Sequence, residues 1–202
     1  MDEKFSDSFT QAQAEQEAST LTFSGKRLCI LDPAPDSITL VDMAIGLSRA
    51  PRWNGQSHRW LSTAQHSVEV YKFVRGLDVY PCREVLLAAL FHDASEAYLA
   101  DVPKPFKLQL PDYCRIEHRL MLSVATRFGF RWPVGGIPQV HYADQLQLAR
   151  EMRDLFTPSR LYLMPELEQE IADEPTIQPL GAEAAGRLFL ETYDEIMAPP
   201  RG

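Results

Sequence analysis

One segment near the middle of the chain constrains the fold more than any other. The nearly apolar run at residues 85–91 leads directly into His92 and Asp93, and Glu96 follows about one helical turn later. Helix-forming residues flank the pair, so the sequence predicts one helix from Arg83 to about Ala100. Aspartate is rarely buried unless it is paired or binds a metal. The segment is therefore a candidate site, and a solvated polar pair is the alternative interpretation.

Composition narrows the classes of protein that this chain can represent. It has 202 residues and is 45% hydrophobic, which is enough for one domain with a substantial core. The formal net charge is −8 and no basic run occurs, so binding to a nucleic-acid polymer is not expected. We also expect no membrane partner, because no apolar run approaches the length of a membrane span.

The cysteines and the start of the chain favour a cytoplasmic protein. Cys29, Cys82 and Cys114 are far apart and odd in number, which is typical of reduced thiols and not of a disulfide framework. The polar residues 1–20 lack the apolar segment of a signal peptide. We interpret residues 1–20 as a polar extension, partly disordered or loosely helical, and residues 21–202 as a single domain.

Hydrophobic periodicity predicts a mainly α fold with a small N-terminal β-hairpin. The hairpin is expected within residues 21–31, around Ser24 and Gly25. The prolines in residues 101–107 predict a stiff, non-helical connection. The predicted helices span residues 39 to 48–51, 64–75, 83 to about 100, 111–129, 138 to about 156, around 166–172, and 181–197.

Two further residues extend the His92–Asp93 pair into a candidate metal site. His66 lies in the first turn of a predicted helix, and Asp144 lies on or beside the apolar stripe of another. Two imidazoles and two carboxylates suit one divalent transition-metal ion, namely Mn²⁺, Co²⁺, Fe²⁺, Ni²⁺ or Zn²⁺. Mg²⁺ suits them less well, because it prefers oxygen ligands. Glu151 and Asp154 lie near Asp144 in sequence and are alternatives to it.

These residues carry a resemblance to the HD-domain superfamily of metal-dependent phosphohydrolases. The motifs are residues 64–67 (AQHS), 92–98 (HDASEAY) and 101–107 (DVPKPFK), followed by Asp144. Together they are most similar to the bacterial 5′-deoxynucleotidase branch, and in particular to its phage and prophage members. The similarity runs from about Phe23 to about Leu155. It implies an HD-domain helical bundle that binds one divalent ion, and it also implies a homo-oligomer.

The resemblance implies a role for each residue of the candidate site. His66, His92, Asp93 and Asp144 correspond to the metal ligands, and Glu96 corresponds to the catalytic carboxylate near the attacking water. The resemblance also implies four substrate-binding residues. Arg52 and Trp53 correspond to a pair that contacts the phosphate and the substrate. Asp101 corresponds to the residue that recognises the sugar 3′-hydroxyl, and Lys107 to a cation that lines the site.

Other interpretations stay open for several of these residues. Arg52 and Trp53 also suit an ordinary surface loop, and His58 and His118 are assigned to structure or solvent. His141 is assigned in the same way, but it competes with the chosen ligands because it lies three residues before Asp144. Many relatives have Glu where this chain has Gln65, which puts the tuning of His66 and the metal preference in question.

The expected activity is hydrolysis of a nucleotide phosphate ester by a metal-dependent enzyme. The first choice of substrate is a deoxynucleoside 5′-monophosphate, which would yield the deoxynucleoside and phosphate. The alternative is a deoxynucleoside triphosphate, such as dATP, cut with release of triphosphate. Arg49, Arg52, Arg59, Lys104 and Lys107 supply the cations that keep this alternative open. A non-catalytic nucleotide-binding module is a second alternative.

Overall fold

The computed structural model describes residues 18–77, 81–156 and 164–199. Its elements confirm a mainly α fold with a small N-terminal hairpin. The strands are β1 (Ser19–Leu21) and β2 (Arg27–Cys29), and 3-10 turns occupy Pro35–Ser37 and Arg52–Gly55. The α-helices are α1 (Leu40–Arg49), α2 (Thr63–Leu77), α3 (Arg83–Leu90), α4 (Glu96–Leu99), α5 (Lys104–Lys107), α6 (Pro111–Phe128), α7 (Pro138–Leu155), α8 (Pro165–Glu168) and α9 (Ala182–Met197).

The hairpin is antiparallel and pairs Thr20 with Leu28. Its turn contains Gly25 at φ 80°, a backbone conformation that glycine adopts without steric cost. The first strand begins at Ser19, two residues before the predicted hairpin. The predicted disorder of the N-terminal extension falls mostly on residues 1–17, which lie outside the described part of the chain.

The helices pack around α2, which contacts α1, α3, α7 and α9. Val68, Val70 and Val74 of α2 are buried, and they share one core with Leu47 of α1 and Phe189 of α9. No helix among the described residues is long and apolar enough to cross a membrane. The core therefore holds α2, α3 and α7 against one another, and these helices or the turns after them carry the candidate metal ligands.

The prediction of one continuous central helix is wrong. Helix α3 ends at Leu90, and α4 begins only at Glu96. Between them the backbone forms tight i→i+3 hydrogen bonds, including Glu96 N–H to Asp93 O at 3.0 Å. In such tight turns, residues three apart lie nearly above one another. Asp93 and Glu96 therefore lie on the same side of this segment, although no continuous helix joins them.

Two other predicted boundaries also need correction. The connection at residues 101–107 is not wholly irregular, because α5 spans Lys104–Lys107. Pro105 is tolerated there since it lies in the first helical turn, where its missing N–H has no partner to lose. The helix expected around residues 166–172 is the single turn α8, which continues only as turns to residue 173.

Candidate metal centre

Phe91 fixes the position of the His92–Asp93 turn. Its side chain is fully buried and packs against four aromatic rings with centroid distances of 4.7 to 5.9 Å. These are the rings of Phe128, Phe130, Phe189 and Tyr193. Because the preceding residue is anchored in this way, the backbone at His92 cannot move independently of the core.

The side chains of His66, His92, Asp93 and Asp144 converge at one point. His66 Nε2 lies 3.1 Å from His92 Nε2, 3.4 Å from Asp93 Oδ2 and 3.2 Å from Asp144 Oδ1. Ligand atoms of His66, His92 and Asp93 all lie within 4.8 Å of one another. Neighbouring ligands of an octahedral ion are about 3 Å apart when each bond is near 2.1 Å. The observed spacings are therefore those of a coordination shell.

The hydrogen bonds of both imidazoles orient them for ligation. His66 Nδ1 lies 2.6 Å from Glu151 Oε1, and His92 Nδ1 lies 2.8 Å from the Ala89 carbonyl oxygen. Both partners only accept hydrogen bonds, so each Nδ1 carries a proton and donates it. The two Nε2 atoms therefore face each other and the carboxylates of Asp93 and Asp144. The lone pairs of these nitrogen and carboxylate oxygen atoms repel one another unless a cation lies between them. The four residues therefore fit a divalent metal ion.

The charges of this centre act strongly on the pKa values of its own side chains. Burial and the Arg52 charge would lower the pKa of His66, but Glu151 and Asp144 outweigh them and raise it to about 10. Burial alone would raise the pKa of Asp93, but the charge of His92 and its hydrogen bond hold that pKa well below its usual range. The raised pKa of His66 and the lowered pKa of Asp93 both come from the close approach of imidazoles and carboxylates in this centre.

Glu151 is the residue of this centre that the sequence did not assign. It is fully buried on α7, where it accepts hydrogen bonds from His66, from Trp53 Nε1 at 2.9 Å and from Gln147 at 3.2 Å. Arg52 Nε lies 3.4 Å from it. Burial would raise the pKa of Glu151, but Arg52 and His66 lower it, so the side chain is a carboxylate. Its one sequence signal is that it lies two helical turns after Asp144.

Arg52 and Trp53 reach the centre through a strained turn. Trp53 and Asn54 have φ values of 59° and 50°, in the left-handed region that costs energy for residues other than glycine. The buried Arg52 guanidinium lies 3.4 Å from Asp93 and 3.7 Å from Asp101. Burial would lower the pKa of Arg52, but these acids and Glu151 raise it, so the charge is permanent.

A cavity of about 420 Å³ opens beside the convergent ligands. Its lining contains Glu96, Lys107 and the other residues predicted for catalysis and substrate binding, namely Arg52, Trp53 and Asp101, together with Asp93 and Asp144. His66 and His92 are absent from this lining: His66 is fully buried, and His92 faces a smaller adjoining cavity. The structure thus brings all the predicted site residues to one place.

Glu96 is buried at the edge of this cavity. Thr63 Oγ1 lies 3.4 Å from its Oε2, and Lys107 Nζ lies 3.5 Å from its Oε1. Burial, Asp93 and Asp101 raise the pKa of Glu96 well above its ordinary value, against the pull of Arg52 and Lys107. A carboxyl group with a raised pKa beside a polar cavity is suited to acid–base chemistry.

The structure also locates two other residues that the sequence analysis discussed, Gln65 and His141. The Gln65 side chain donates a hydrogen bond to Gln178 O at 3.0 Å and accepts one from Leu180 N–H at 2.8 Å. It therefore fastens the segment after α8 to α2. His141 is exposed and lines the cavity wall on the same helix as Asp144, whose Oδ1 is the atom that lies 3.2 Å from His66 Nε2.

Comparison with known proteins gives relatives in Escherichia coli and Rhodobacter capsulatus. The chain is 35% identical over 176 residues to the uncharacterized protein YfdR of Escherichia coli K12, an alignment that covers 87% of this chain and 93% of YfdR. It is 38% identical over 109 residues to an uncharacterized protein of Rhodobacter capsulatus, covering 52% of this chain and 56% of that protein. No protein-family model matches the chain. The extent of the first alignment shows that the chain belongs to the family of YfdR.

Proposed function

We propose that this protein is a cytoplasmic, metal-dependent phosphohydrolase of the HD-domain type that removes the 5′-phosphate of deoxynucleoside monophosphates. The observation that carries the proposal is the convergence of two imidazole Nε2 atoms and two carboxylates beside a polar cavity. A divalent ion bound there would lower the pKa of a coordinated water and polarise a phosphoryl oxygen. His66, His92, Asp93 and Asp144 would hold it.

The residues around the cavity supply the other needs of phosphate hydrolysis. Glu96 is placed to orient the attacking water or to accept its proton. Lys107 presents a cation to the phosphate, and Arg52, which also lines the cavity, lies 3.4 Å from Asp93 and 3.7 Å from Asp101. Phosphoryl transfer depends mainly on positioning and on charge stabilisation, which these fixed groups provide. The cavity volume of about 420 Å³ lies within the range of small-molecule sites.

The charges that line the cavity favour a monophosphate over a triphosphate. Among the described residues, its lining contains the cations Arg52, Lys104 and Lys107 and four acids. Two cations that were counted for a triphosphate lie elsewhere. Arg49 stacks over the ring of Phe23, and Arg59 donates to the Ile177 carbonyl. A triphosphate adds further negative charge, and two of the lining cations, Arg52 and Lys107, are already paired with acids.

The direct test is phosphate release from dAMP, AMP and dATP in the presence of Mn²⁺ or Co²⁺, with EDTA as the matched blank. We expect inorganic phosphate from dAMP, loss of turnover with EDTA, and weaker activity on AMP. Release of triphosphate from dATP without cleavage of dAMP would replace the monophosphate proposal. Nucleotide binding without any product would instead identify a non-catalytic binding module.

Glu96→Gln separates catalysis from metal binding. Because Glu96 is not among the convergent ligands, the variant should bind Mn²⁺ as the wild type does. Its turnover should fall by about a hundredfold or more, which is the usual range for a positioned acid or base. Near-normal turnover of the Mn²⁺-loaded variant would contradict the role given to Glu96.

A further inference from the structure

The first two turns of α6 form the outer support of the cavity wall. Tyr113 donates its hydroxyl to the Ala100 carbonyl at 3.1 Å, and Cys114 Sγ lies 3.4 Å from the Lys107 carbonyl. Glu117 Oε1 accepts a hydrogen bond from Lys107 Nζ at 2.6 Å. These three contacts all reach the segment between Ala100 and Lys107. Helix α6 thereby touches the residues that line the cavity.

Two carboxylates compete for the ammonium group of Lys107. The Glu117 oxygen is 2.6 Å from Nζ, whereas the Glu96 oxygen is 3.5 Å away. The side chains of Lys107 and Glu117 are about one-fifth exposed, and that of Glu96 is nearly fully buried. Burial would lower the pKa of Lys107, but Glu96 and Glu117 raise it, so the ammonium keeps its charge. The shorter contact places this charge on the Glu117 side.

We propose that Glu117 is a positioning residue that holds Lys107 at the cavity wall and keeps its ammonium group from moving from 3.5 Å into direct hydrogen-bonding contact with Glu96. A lysine side chain is long and flexible, so its charge moves to the best available partner. Without the Glu117 carboxylate, that partner is Glu96. A direct Glu96–Lys107 pair would occupy the carboxylate that orients water and would withdraw the cation from the phosphate. The catalytic consequence rests on the function proposed above.

If Glu117 only stabilised the fold, its substitution would lower the melting temperature and would not act specifically on kcat. Helix α6 is fixed in the core by Leu120, Met121 and Val124, which are buried on the C-terminal side of Glu117 along the helix. Loss of one partly exposed ion pair costs about 1 kcal/mol or less. We therefore expect Glu117→Gln to leave the melting temperature nearly unchanged, while kcat falls about 10- to 100-fold with KM and Mn²⁺ affinity less affected. Glu117→Asp, which retains the charge, should recover part of kcat.

The decisive experiment is a double-mutant cycle with Lys107→Ala. If Glu117 acts through Lys107, Glu117→Gln has no further effect in the Lys107→Ala background. An equal loss in both backgrounds would overturn the proposal. Asp112→Asn is the matched control, because it removes an acid from the same helix whose partner is the exposed Arg115. We expect that control to keep wild-type kcat.

A crystal structure of Glu117→Gln gives a readout that does not need activity. We expect the distance from Lys107 Nζ to Glu96 Oε1 to shorten from 3.5 Å to a direct ion pair. If Lys107 stays in place, the positioning role is wrong. If the wild type hydrolyses no nucleotide while Lys107 moves in the variant, the proposed function fails and the positioning of Lys107 by Glu117 stands.

Discussion

At the scale of single residues, the candidate centre depends on hydrogen bonds that determine which imidazole nitrogen is free. The Glu151 carboxylate accepts a hydrogen bond from the Nδ1–H group of His66 and leaves Nε2 for a metal ion. A charged partner on the far nitrogen also makes the imidazole a better ligand. The strength of metal binding should therefore depend on a residue that does not touch the ion.

Glu151→Gln tests this dependence. The amide keeps the size of the side chain and one accepting oxygen, but it removes the charge next to His66. We expect Mn²⁺ affinity, measured by calorimetry, to fall by about 10- to 100-fold. Asp154→Asn is the matched control on the same helix, because Asp154 pairs with Arg153 and with Ile177 N–H and has no contact with His66. Equal affinity in the two variants would contradict the account.

Asp101 is expected to select deoxyribose. It follows Ala100, whose φ of 64° and ψ of 162° lie in a region that is nearly restricted to glycine. The Tyr113 hydroxyl holds this strained carbonyl, so the backbone at Asp101 has little freedom. A fixed carboxylate would accept a hydrogen bond from a 3′-hydroxyl and leave no space for a 2′-hydroxyl.

The measurement is the ratio of kcat/KM for dAMP to that for AMP. We expect the ratio to favour dAMP by about tenfold or more, and to approach one in Asp101→Ala. A ratio that is the same in both proteins would show that Asp101 does not read the sugar.

The sequence was enough to nominate residues whose types are diagnostic, but not their supporting partners. His66, His92, Asp93 and Asp144 stand out because imidazoles and acids are unusual beside apolar stripes. Glu151 could not be assigned in the same way, since its partners Arg52 and Trp53 lie 99 and 98 residues away in the chain. Helical spacing alone did not separate it from Asp154.

At the scale of elements, the short helix α4 is held by close packing against α1. A Cβ atom added at Gly46 would lie 2.5 Å from Ala97 O and 2.9 Å from Ala97 Cα. These are backbone atoms, so the helices would have to separate. Because Ala97 follows Glu96 directly, any separation also moves the Glu96 carboxylate, for which we propose the catalytic role.

Gly46→Ala should therefore destabilise the protein by about 1–3 kcal/mol and lower kcat. Gly76→Ala is the matched control, because a Cβ there meets nothing within 4 Å and the residue lies within α2. That control should be stabilised by up to about 1 kcal/mol through helix propensity, with kcat unchanged. Chemical denaturation of the two variants measures both effects, and similar stability for both would contradict the packing argument.

The break between α3 and α4 shows where helix prediction from sequence reaches its limit. Every residue from Arg83 to Leu99 is compatible with a helix, and periodicity gives no sign of the tight turns after Phe91. The break is caused by tertiary contacts, since Phe91 is fixed among aromatic rings and Ala97 is pressed against Gly46. The hairpin and the long helices α2, α6 and α7 lack such conflicts, and their positions were predicted closely.

At the scale of the whole molecule, stability should fall in acid through carboxylates outside the metal centre. Asp42 accepts hydrogen bonds from the Ser24 backbone at 2.6 Å and from Thr39 Oγ1 at 2.7 Å, which join the hairpin turn to α1. Burial would raise the pKa of Asp42, but these hydrogen bonds lower it below its ordinary value of 3.8. The folded state therefore binds this proton less tightly than the unfolded chain.

A lowered pKa gives stability that is fully present above the unfolded value and is lost as pH falls through the folded value. Asp42 should therefore stabilise the protein at neutral pH and lose this contribution progressively as the pH falls below about 4. Asp42→Asn should lower the melting temperature at pH 7 and flatten its decline between about pH 5 and pH 3. An identical decline in the wild type and the variant would show that Asp42 does not contribute to the acid transition.

The central claim is that His66, His92, Asp93 and Asp144 together bind one divalent ion. Calorimetric titration of the metal-free protein with Mn²⁺ tests it most directly, with His92→Ala and Asp144→Ala measured beside the wild type. The account predicts one ion per chain in the wild type and a loss of affinity of about 100-fold or more in each variant. Binding of Mn²⁺ with wild-type affinity in both variants, or no binding in the wild type, would contradict it.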